Sequence, residues 1–354
     1  MGSDGQPPAD GWLSNLPGTA VKTAVRNGMP ADSVALYARW WQLESWLREL
    51  AYVELRAMHG QGWANVVKVA AGRQTVDASF THMLGADSEN PLAYLDYSQV
   101  IALIEDHWEQ FEYALITRKA WDGRQEELKR IRHRIGHMRR PHVDDVARLE
   151  QTLRDLERGA FVALASYNRT EVPDRDVMSD AVSLGWVAGE HDDARRLVEH
   201  ARRQYDTKIW VRSSRRPWAS WPANTRQVPG LLWRVDFFVS DRWIDLSRLW
   251  YDTALESPKA LLVHTMLDGP HHVAFTFSGA DDGAEVADAI GNVFDAVLLS
   301  ASYGPPLDDE AALQDLHDVD FRLLIGSRWQ IIDETTVPVS LFGAGAKVHA
   351  APRW

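Results

Sequence analysis

The sequence predicts an α+β protein with an N-terminal antiparallel helical bundle followed by a mixed α+β C-terminal domain. Between residues 33 and 208, apolar residues recur at three- and four-residue steps through several segments, which is typical of amphipathic helices. Beyond about residue 208, short and partly alternating β-rich segments occur at 231–239, 272–277 and 329–332, around one helical segment at 284–300. The change of pattern predicts two structural classes within one chain.

Three regions follow from this change. Residues 1–31 are rich in Gly, Pro, Ser and Asp and are predicted to be a mobile leader. Residues 32–208 are predicted to be a helical domain, with a core at 33–160 and additional helices at 174–208. Residues 209–354 are predicted to be an α+β domain, and the sequence does not indicate its role.

Four helices make up the core of the predicted bundle. Their periodic segments lie at about 33–59, 97–116 and 122–137, and the fourth begins after Asp144-Asp145. Pro141 closes the third segment, because proline cannot continue a helix. The short connections between helices favour antiparallel neighbours.

Composition excludes several classes of protein. The chain has no cysteine, and therefore no disulfide, thiolate nucleophile or Cys-ligated metal site. No apolar run approaches the roughly 18 residues that span a bilayer, and no signal peptide is recognised. We therefore expect a cytoplasmic protein without a membrane partner. Five of the 16 Trp residues are expected to pack in the bundle or dimer core: Trp40, Trp41, Trp46, Trp108 and Trp121.

The net charge of −12 argues against nucleic acid as a partner, but the charge is unevenly distributed. Residues 118–140 hold nine Lys/Arg against three Asp/Glu, and residues 195–216 hold eight against two. Residues 268–320 hold twelve acids and no Lys or Arg. This acidic block is expected to be a solvated surface; alternatively, it covers a basic RNA cleft in this chain or in a dimer mate.

The most informative motif is R-x4-H, formed by Arg132 and His137 in the basic third helix. Cleavage of RNA by the ribose 2′-OH needs groups that move protons and a cation that offsets charge on the phosphorus. Histidine titrates near neutral pH and suits proton transfer, whereas arginine stays charged and binds phosphate oxygens. Neither residue needs a metal ion or another cofactor for this chemistry.

Helix geometry constrains such a site. Positions five residues apart on a helix point about 140° from each other, so one Arg132 and one His137 would not converge well. Two copies of the helix facing each other across a twofold axis could build one composite cleft. The alternative interpretation is a solvated basic helix face that ends in a histidine favoured by the helix dipole.

Three stretches around the motif resemble the HEPN superfamily, in particular its abortive-infection members. Residues 40–50 read WWQLESWLREL, similar to the family's W-x-x-L-E-x-x-L-R-x-L opening. Residues 94–98 read YLDYS, and the helix continues with the family's apolar positions at Ile101, Ile104, Trp108 and Phe111. The third stretch is the motif helix with Met138-Arg139-Arg140. The resemblance covers about residues 33–160, over a third of the chain.

The resemblance implies a bundle of four or five helices that dimerises. It implies that Arg132 and His137 are the catalytic pair of a metal-independent endoribonuclease. His133 stands where the family usually has Asn and would be a supporting polar residue, and Arg134 and Arg139 would contact phosphate.

These observations predict a homodimeric HEPN-type endoribonuclease that leaves a 2′,3′-cyclic phosphate. A role as a toxin or phage-defence effector is expected by family analogy, with an antitoxin or trigger ligand binding the C-terminal domain. The alternative is a non-catalytic HEPN module that binds RNA or a protein partner as a scaffold.

A second basic stretch at 195–221 combines arginines with aromatic residues. Arginines can hold an RNA backbone while aromatic rings stack on its bases. The candidate RNA-binding residues are Arg212, Arg215, Arg216, Trp218 and Trp221. The alternative is a solvated helix end followed by a Pro-rich turn with buried Trp residues. No metal site is predicted, because the pair His271-His272 lacks further converging ligands.

Overall fold

In a computed structural model, the described residues are 16–67, 70–80, 90–173, 180–220, 228–267, 270–303 and 320–325. A set of helices packs against one face of a five-stranded sheet, and further helices cover the other face. The predicted α+β class is confirmed. The predicted strand at 329–332, the residue Trp221 and a large part of the acidic block lie outside the described residues.

The N-terminal half is helical, as its periodicity predicts. Its α-helices are α1 (Leu16–Arg26), α2 (Ala31–His59), α3 (Ala70–Ala78), α4 (Tyr97–Asp106), α5 (Trp108–Phe111), α6 (Arg118–Gly136) and α7 (Asp145–Asn168). The segment predicted as a mobile leader therefore contains a helix, α1. The predicted second helix is interrupted at His107, which separates α4 from α5.

The helices do not form a fully antiparallel bundle. Helix α6 runs antiparallel to α7, because Arg124 pairs with Asp155 and Arg134 pairs with Asp145. Helix α2 instead runs parallel to α4 and α5: Trp40 contacts Tyr97, and Glu54 accepts a hydrogen bond from Tyr113. The antiparallel prediction is wrong for α2 and α4, because the connection between them brings the chain back to the N-terminal end of α2.

The C-terminal half adds the sheet and its covering helices. The strands are β1 (Thr207–Arg215), β2 (Leu231–Val239), β3 (Trp243–Ile244), β4 (Leu262–Leu267), β5 (His272–Ser278), β6 (Ala301–Ser302) and β7 (Leu323–Ile325). The helices are α8 (Asp192–Gln204), α9 (Leu246–Trp250) and α10 (Gly283–Ser300). The main sheet has the order β1-β2-β5-β4-β7, antiparallel except for the parallel pair β4–β7.

Two apolar cores lie on opposite faces of this sheet. The first contains residues of the helices α2 and α4 to α7 together with Leu232 and Val263 from the strands. The second contains α8, α10 and the other sheet face, with Val182 and Trp186. The segment 180–204 thus packs on the sheet, whereas the periodicity groups it with the bundle.

Buried hydrogen bonds join α2 directly to the strands. The Tyr52 hydroxyl donates to the carbonyl oxygen of Val263 at 2.6 Å, and Arg56 Nη2 donates to that of Leu261 at 2.7 Å. Ser278 Oγ donates to the carbonyl oxygen of Arg56 at 2.7 Å. Because these bonds are buried, separating the two halves would leave polar groups unsatisfied.

Four of the five bundle tryptophans are buried or half-buried, and the fifth is not. Trp41 lies on α2 with 61% of its surface exposed. Within the described part of the chain, every helix is too short or too polar to cross a bilayer.

Candidate functional site

Helix α6 carries the R-x4-H motif, and its buried stripe determines which side chains face solvent. Trp121, Gln125, Leu128 and Ile131 recur every three or four residues and are buried. The Tyr97 hydroxyl donates to Gln125 Oε1 at 2.8 Å, which fixes α6 against the start of α4. The basic residues consequently occupy the outer side of the helix.

Arg132 is exposed on that outer side, near the N-terminus of α4. Asp96 caps α4, and its pKa lies below the ordinary value even though burial raises it. Hydrogen bonds from Ser98 and Gln99 and the charge of Arg132 together outweigh that burial. Arg132 thus lies within electrostatic range of a carboxylate.

His137 is the first residue beyond α6, and its ring contacts that of His133. The two ring centroids are 4.4 Å apart at an interplanar angle of 64°, and both residues are exposed. The helix ends in a Schellman motif, in which Arg139 N donates to Arg134 O and Met138 has a φ of 51°. This turn leaves the His133–His137 pair open to solvent at the end of the helix.

Arg134 does not serve the predicted phosphate role. Its guanidinium makes a two-point contact with Asp145, with Nε 2.6 Å from Oδ2 and Nη2 bonded to Oδ1. Asp145 is buried and also accepts from the backbone N–H of His142 at 2.9 Å. This correction follows from the pairing, because the nitrogens that phosphate would need are already donating to a carboxylate.

Arg132, His133, His137, Arg139 and Arg140 form what we call the basic tip of α6. All five are exposed. Within the described residues, no ion pair involves Arg139 or Arg140, and no hydrogen bond joins Arg132 to His137. The structure therefore brings His133 and His137 together, and it places Arg132 on the same tip without direct contact.

The second predicted RNA-binding stretch spans most of helix α8 and all of strand β1. Arg212 lies on β1, where its Nη2 is 2.7 Å from Oδ2 of the buried Asp236. Arg215 is exposed at the end of the same strand. These two residues remain accessible in part, and Trp221 lies outside the described residues.

Arg216 is an interior residue, which corrects its predicted RNA-binding role, and Trp218 is partly buried beside it. Arg216 is 2% exposed and donates to Glu54 through Nε at 2.9 Å and Nη2 at 2.5 Å. Trp218 Nε1 donates to the other oxygen of Glu54 at 2.5 Å. Both side chains bind a carboxylate that lies far away in sequence, so Arg216 cannot present itself to RNA and the indole N–H of Trp218 is already bonded.

Two further polar clusters escape sequence analysis. His264 is buried, with Nδ1 2.9 Å from the Tyr167 hydroxyl and Nε2 3.0 Å from Glu49 Oε1. Burial raises the pKa of Tyr167 to about 12. This cluster joins α2, α7 and β4; His264 and Tyr167 are buried, whereas the Glu49 side chain is 30% exposed. Its members come from distant segments and share no local pattern.

The second cluster surrounds Asp236 on β2. Its carboxylate is fully buried and contacts Arg212, Arg234 and His272. Burial raises the pKa of Asp236, but the His272 hydrogen bond and the two guanidinium groups lower it by more than burial raises it, to about 2. The cluster therefore keeps a charged carboxylate inside the sheet.

This depressed pKa predicts acid sensitivity. Because the pKa of Asp236 is about 2 in the folded chain and 3.8 for an unperturbed Asp, the stabilisation is complete above about pH 5 and is lost as pH falls toward 2. The loss is about 2 kcal/mol in the free energy of unfolding. Urea unfolding measures the free energy of unfolding at pH 5 and at pH 2.5. The difference between these two free energies should be smaller in Asp236→Asn than in the wild type. Asp122→Asn, at an exposed position, should keep the wild-type difference; equal differences in all three proteins would contradict the prediction.

No family model, curated protein or solved structure matches this chain. The HEPN resemblance therefore stays a prediction. Among the described residues, no group of three or more His, Asp or Glu side chains could hold a metal ion.

Proposed function

We propose that this chain is a metal-independent endoribonuclease of HEPN type, acting as a homodimer through its helical bundle. The observation that carries the proposal is the basic tip, where Arg132 and His137 are exposed beside Arg139 and Arg140. A surface of this kind attracts phosphate and offers imidazole groups that can accept or donate a proton. The pairing of Arg134 with Asp145 supports it indirectly, because it anchors the turn that follows the motif.

The chemistry balances without an added reactant. The ribose 2′-oxygen attacks the phosphorus and loses its proton to a base, the P–O5′ bond breaks, and the 5′-oxygen takes a proton from an acid. The products are a 2′,3′-cyclic phosphate and a free 5′-hydroxyl. In the proposal, His137 acts as the base or the acid, Arg132 stabilises the charged phosphorus centre, and His133 is a neighbouring polar group.

A second candidate is a non-catalytic module that binds RNA or a protein partner as a scaffold. It is supported by the exposed Arg139 and Arg140, which have no ion pair within the described residues and can bind phosphate without any proton transfer. Under this candidate the basic tip binds without cutting. The toxin or phage-defence role, and an antitoxin or trigger at the C-terminal half, remain expectations by analogy.

The first test is RNA cleavage in EDTA by purified wild-type protein. We expect cleavage to 2′,3′-cyclic phosphate ends, and a loss of about 100-fold or more in both Arg132→Ala and His137→Ala, in line with the loss of acid–base catalysis. The measurement is the initial rate on bulk RNA, with the ends identified by their resistance to a phosphomonoesterase.

Matched controls lie beside the basic tip, outside its five residues. Arg130→Ala removes an exposed arginine from α6, and His142→Ala removes an exposed histidine from the following turn. Both should retain at least half of the wild-type rate. Cleavage that survives Arg132→Ala and His137→Ala, or a wild-type protein that never cleaves, would contradict the proposal. A strictly monomeric mass in solution would remove the composite site.

A further inference from the structure

One face of the main sheet carries an exposed aromatic residue on its edge strand, β1. Side chains alternate along β1, so Lys208, Trp210 and Arg212 share the face opposite the second core. The paired residues of β2 on that face are Phe238, Asp236 and Arg234. Trp210 lies on the edge strand with 51% of its surface exposed.

The aromatic rings on this face form a continuous row across three strands. Trp210 and Phe238 have ring centroids 4.9 Å apart. Phe238 in turn stacks on His272 of β5, with centroids 4.2 Å apart and an interplanar angle of 9°. His272 is held by Asp236 at 3.0 Å. Phe238 thus packs against the Trp210 ring at an interplanar angle of 58°, and 51% of the Trp210 surface stays exposed.

Positive charge surrounds this row. The charged side chains of β1 and β2 on this face are Lys208, Arg212, Arg234 and Asp236, an excess of two positive charges. Arg212 lies over the Trp210 ring at 5.5 Å and is oriented by its bond to Asp236. Lys208 is exposed, and within the described part of the chain it has no ion pair. An exposed aromatic ring between two cations suits an anionic ligand with flat groups.

We propose that this face, which we call the stacking face, binds single-stranded RNA. Trp210 stacks on an unpaired base, while Lys208 contacts a flanking phosphate and Arg212, held by Asp236, orients the ring. The ligand must be unpaired, because bases inside a duplex already have both faces stacked. The identification of the nucleic acid as RNA rests on the proposed ribonuclease activity.

The test measures binding separately from cleavage. A fluorescently labelled single strand of about ten nucleotides is titrated in EDTA with protein that carries His137→Ala, and fluorescence anisotropy gives Kd. Adding Trp210→Ala should weaken binding by about 5- to 100-fold, the range expected for one base–aromatic stack. Adding Trp41→Ala, which removes a similarly exposed tryptophan from α2, should leave Kd unchanged.

A second variant keeps the test valid if Trp210→Ala folds poorly. Lys208→Ala leaves the aromatic row intact and should reduce the slope of log Kd against log salt by about 0.7, the value for one lost phosphate contact on a single strand. A duplex of the same length should bind independently of Trp210.

The outcomes separate this inference from the proposed function. Binding that depends on Trp210 in a protein that never cleaves would support the stacking face and contradict the ribonuclease. Equal Kd values for Trp210→Ala and Trp41→Ala would overturn the stacking face and leave the cleavage result untouched. A protein that binds no RNA at all would also overturn the stacking face. So would the finding that the ligand whose binding depends on Trp210 is a protein.

Discussion

Glu54→Gln is expected to lower the free energy of unfolding by about 3–5 kcal/mol, the cost of leaving a buried charge without its counter-ion. Glu54 is fully buried and accepts from Arg216, Tyr113 and Trp218. The change keeps the shape of the side chain and removes its charge, so Arg216 would remain charged in the interior. Urea unfolding followed by circular dichroism measures the effect.

A matched substitution on the surface isolates the role of burial. Glu127 also contacts two arginines, Arg124 and Arg148, but it is 40% exposed. Glu127→Gln should cost less than about 1 kcal/mol, because water screens and replaces the lost contacts. Similar costs for Glu54→Gln and Glu127→Gln would show that the buried network contributes no more than an ordinary surface pair.

The Glu54 network also determines how the chain should unfold. Glu54 belongs to α2, Tyr113 follows α5, and Arg216 follows β1, so one carboxylate ties three distant segments together. Arg216 Nη1 adds a bond to the carbonyl oxygen of Ala163 in α7 at 3.2 Å. The helices and the sheet should therefore unfold in one transition, although the sequence suggests two separate domains.

Local periodicity was sufficient to predict the helices that bury one continuous stripe. The observed α6 and α7 lie within a few residues of their predicted positions, because their apolar residues recur every three or four positions and Pro141 separates them. Strand β2 was also predicted from its local sequence, because its apolar run is short and β-rich. In these segments the local pattern and the tertiary environment agree.

Strand β1 was not predicted, because its charged residues obscure the alternation of apolar and polar side chains. It follows the basic helix α8, and its own Lys208, Arg212 and Arg215 continue that helix's composition. What makes it a strand is pairing with β2, which supplies Asp236 opposite Trp210. A pairing partner more than twenty residues away cannot be read from a local window.

Long-range pairs also decide which arginines are available to a ligand. Arg212 and Arg216 look equivalent in the sequence, yet Arg216 is buried against Glu54 and Arg212 remains partly exposed. Within the motif helix, Arg132 faces solvent while its neighbour Arg134 pairs with Asp145. Counting charges therefore located the basic regions correctly but could not assign their individual residues.

Gly159→Ala is expected to lower the free energy of unfolding by about 1–3 kcal/mol, although alanine is intrinsically the better helix former. Gly159 lies within α7, where a Cβ atom would come 1.9 Å from the carbonyl oxygen of Ala114. That oxygen belongs to the backbone and cannot move aside as a flexible side chain would. The helix must shift, or the connection between α5 and α6 must deform.

Gly123→Ala provides the opposite sign on the neighbouring helix. Gly123 lies within α6 and has open space at its Cβ position, so the change should raise the free energy of unfolding by about 0.5–1 kcal/mol. Equal changes in the free energy of unfolding for Gly123→Ala and Gly159→Ala would contradict the close approach of Gly159 to the carbonyl oxygen of Ala114. Because α7 begins at Asp145, the residue that holds Arg134, a displaced α7 should also disturb the basic tip. RNA cleavage should therefore fall in Gly159→Ala and stay unchanged in Gly123→Ala.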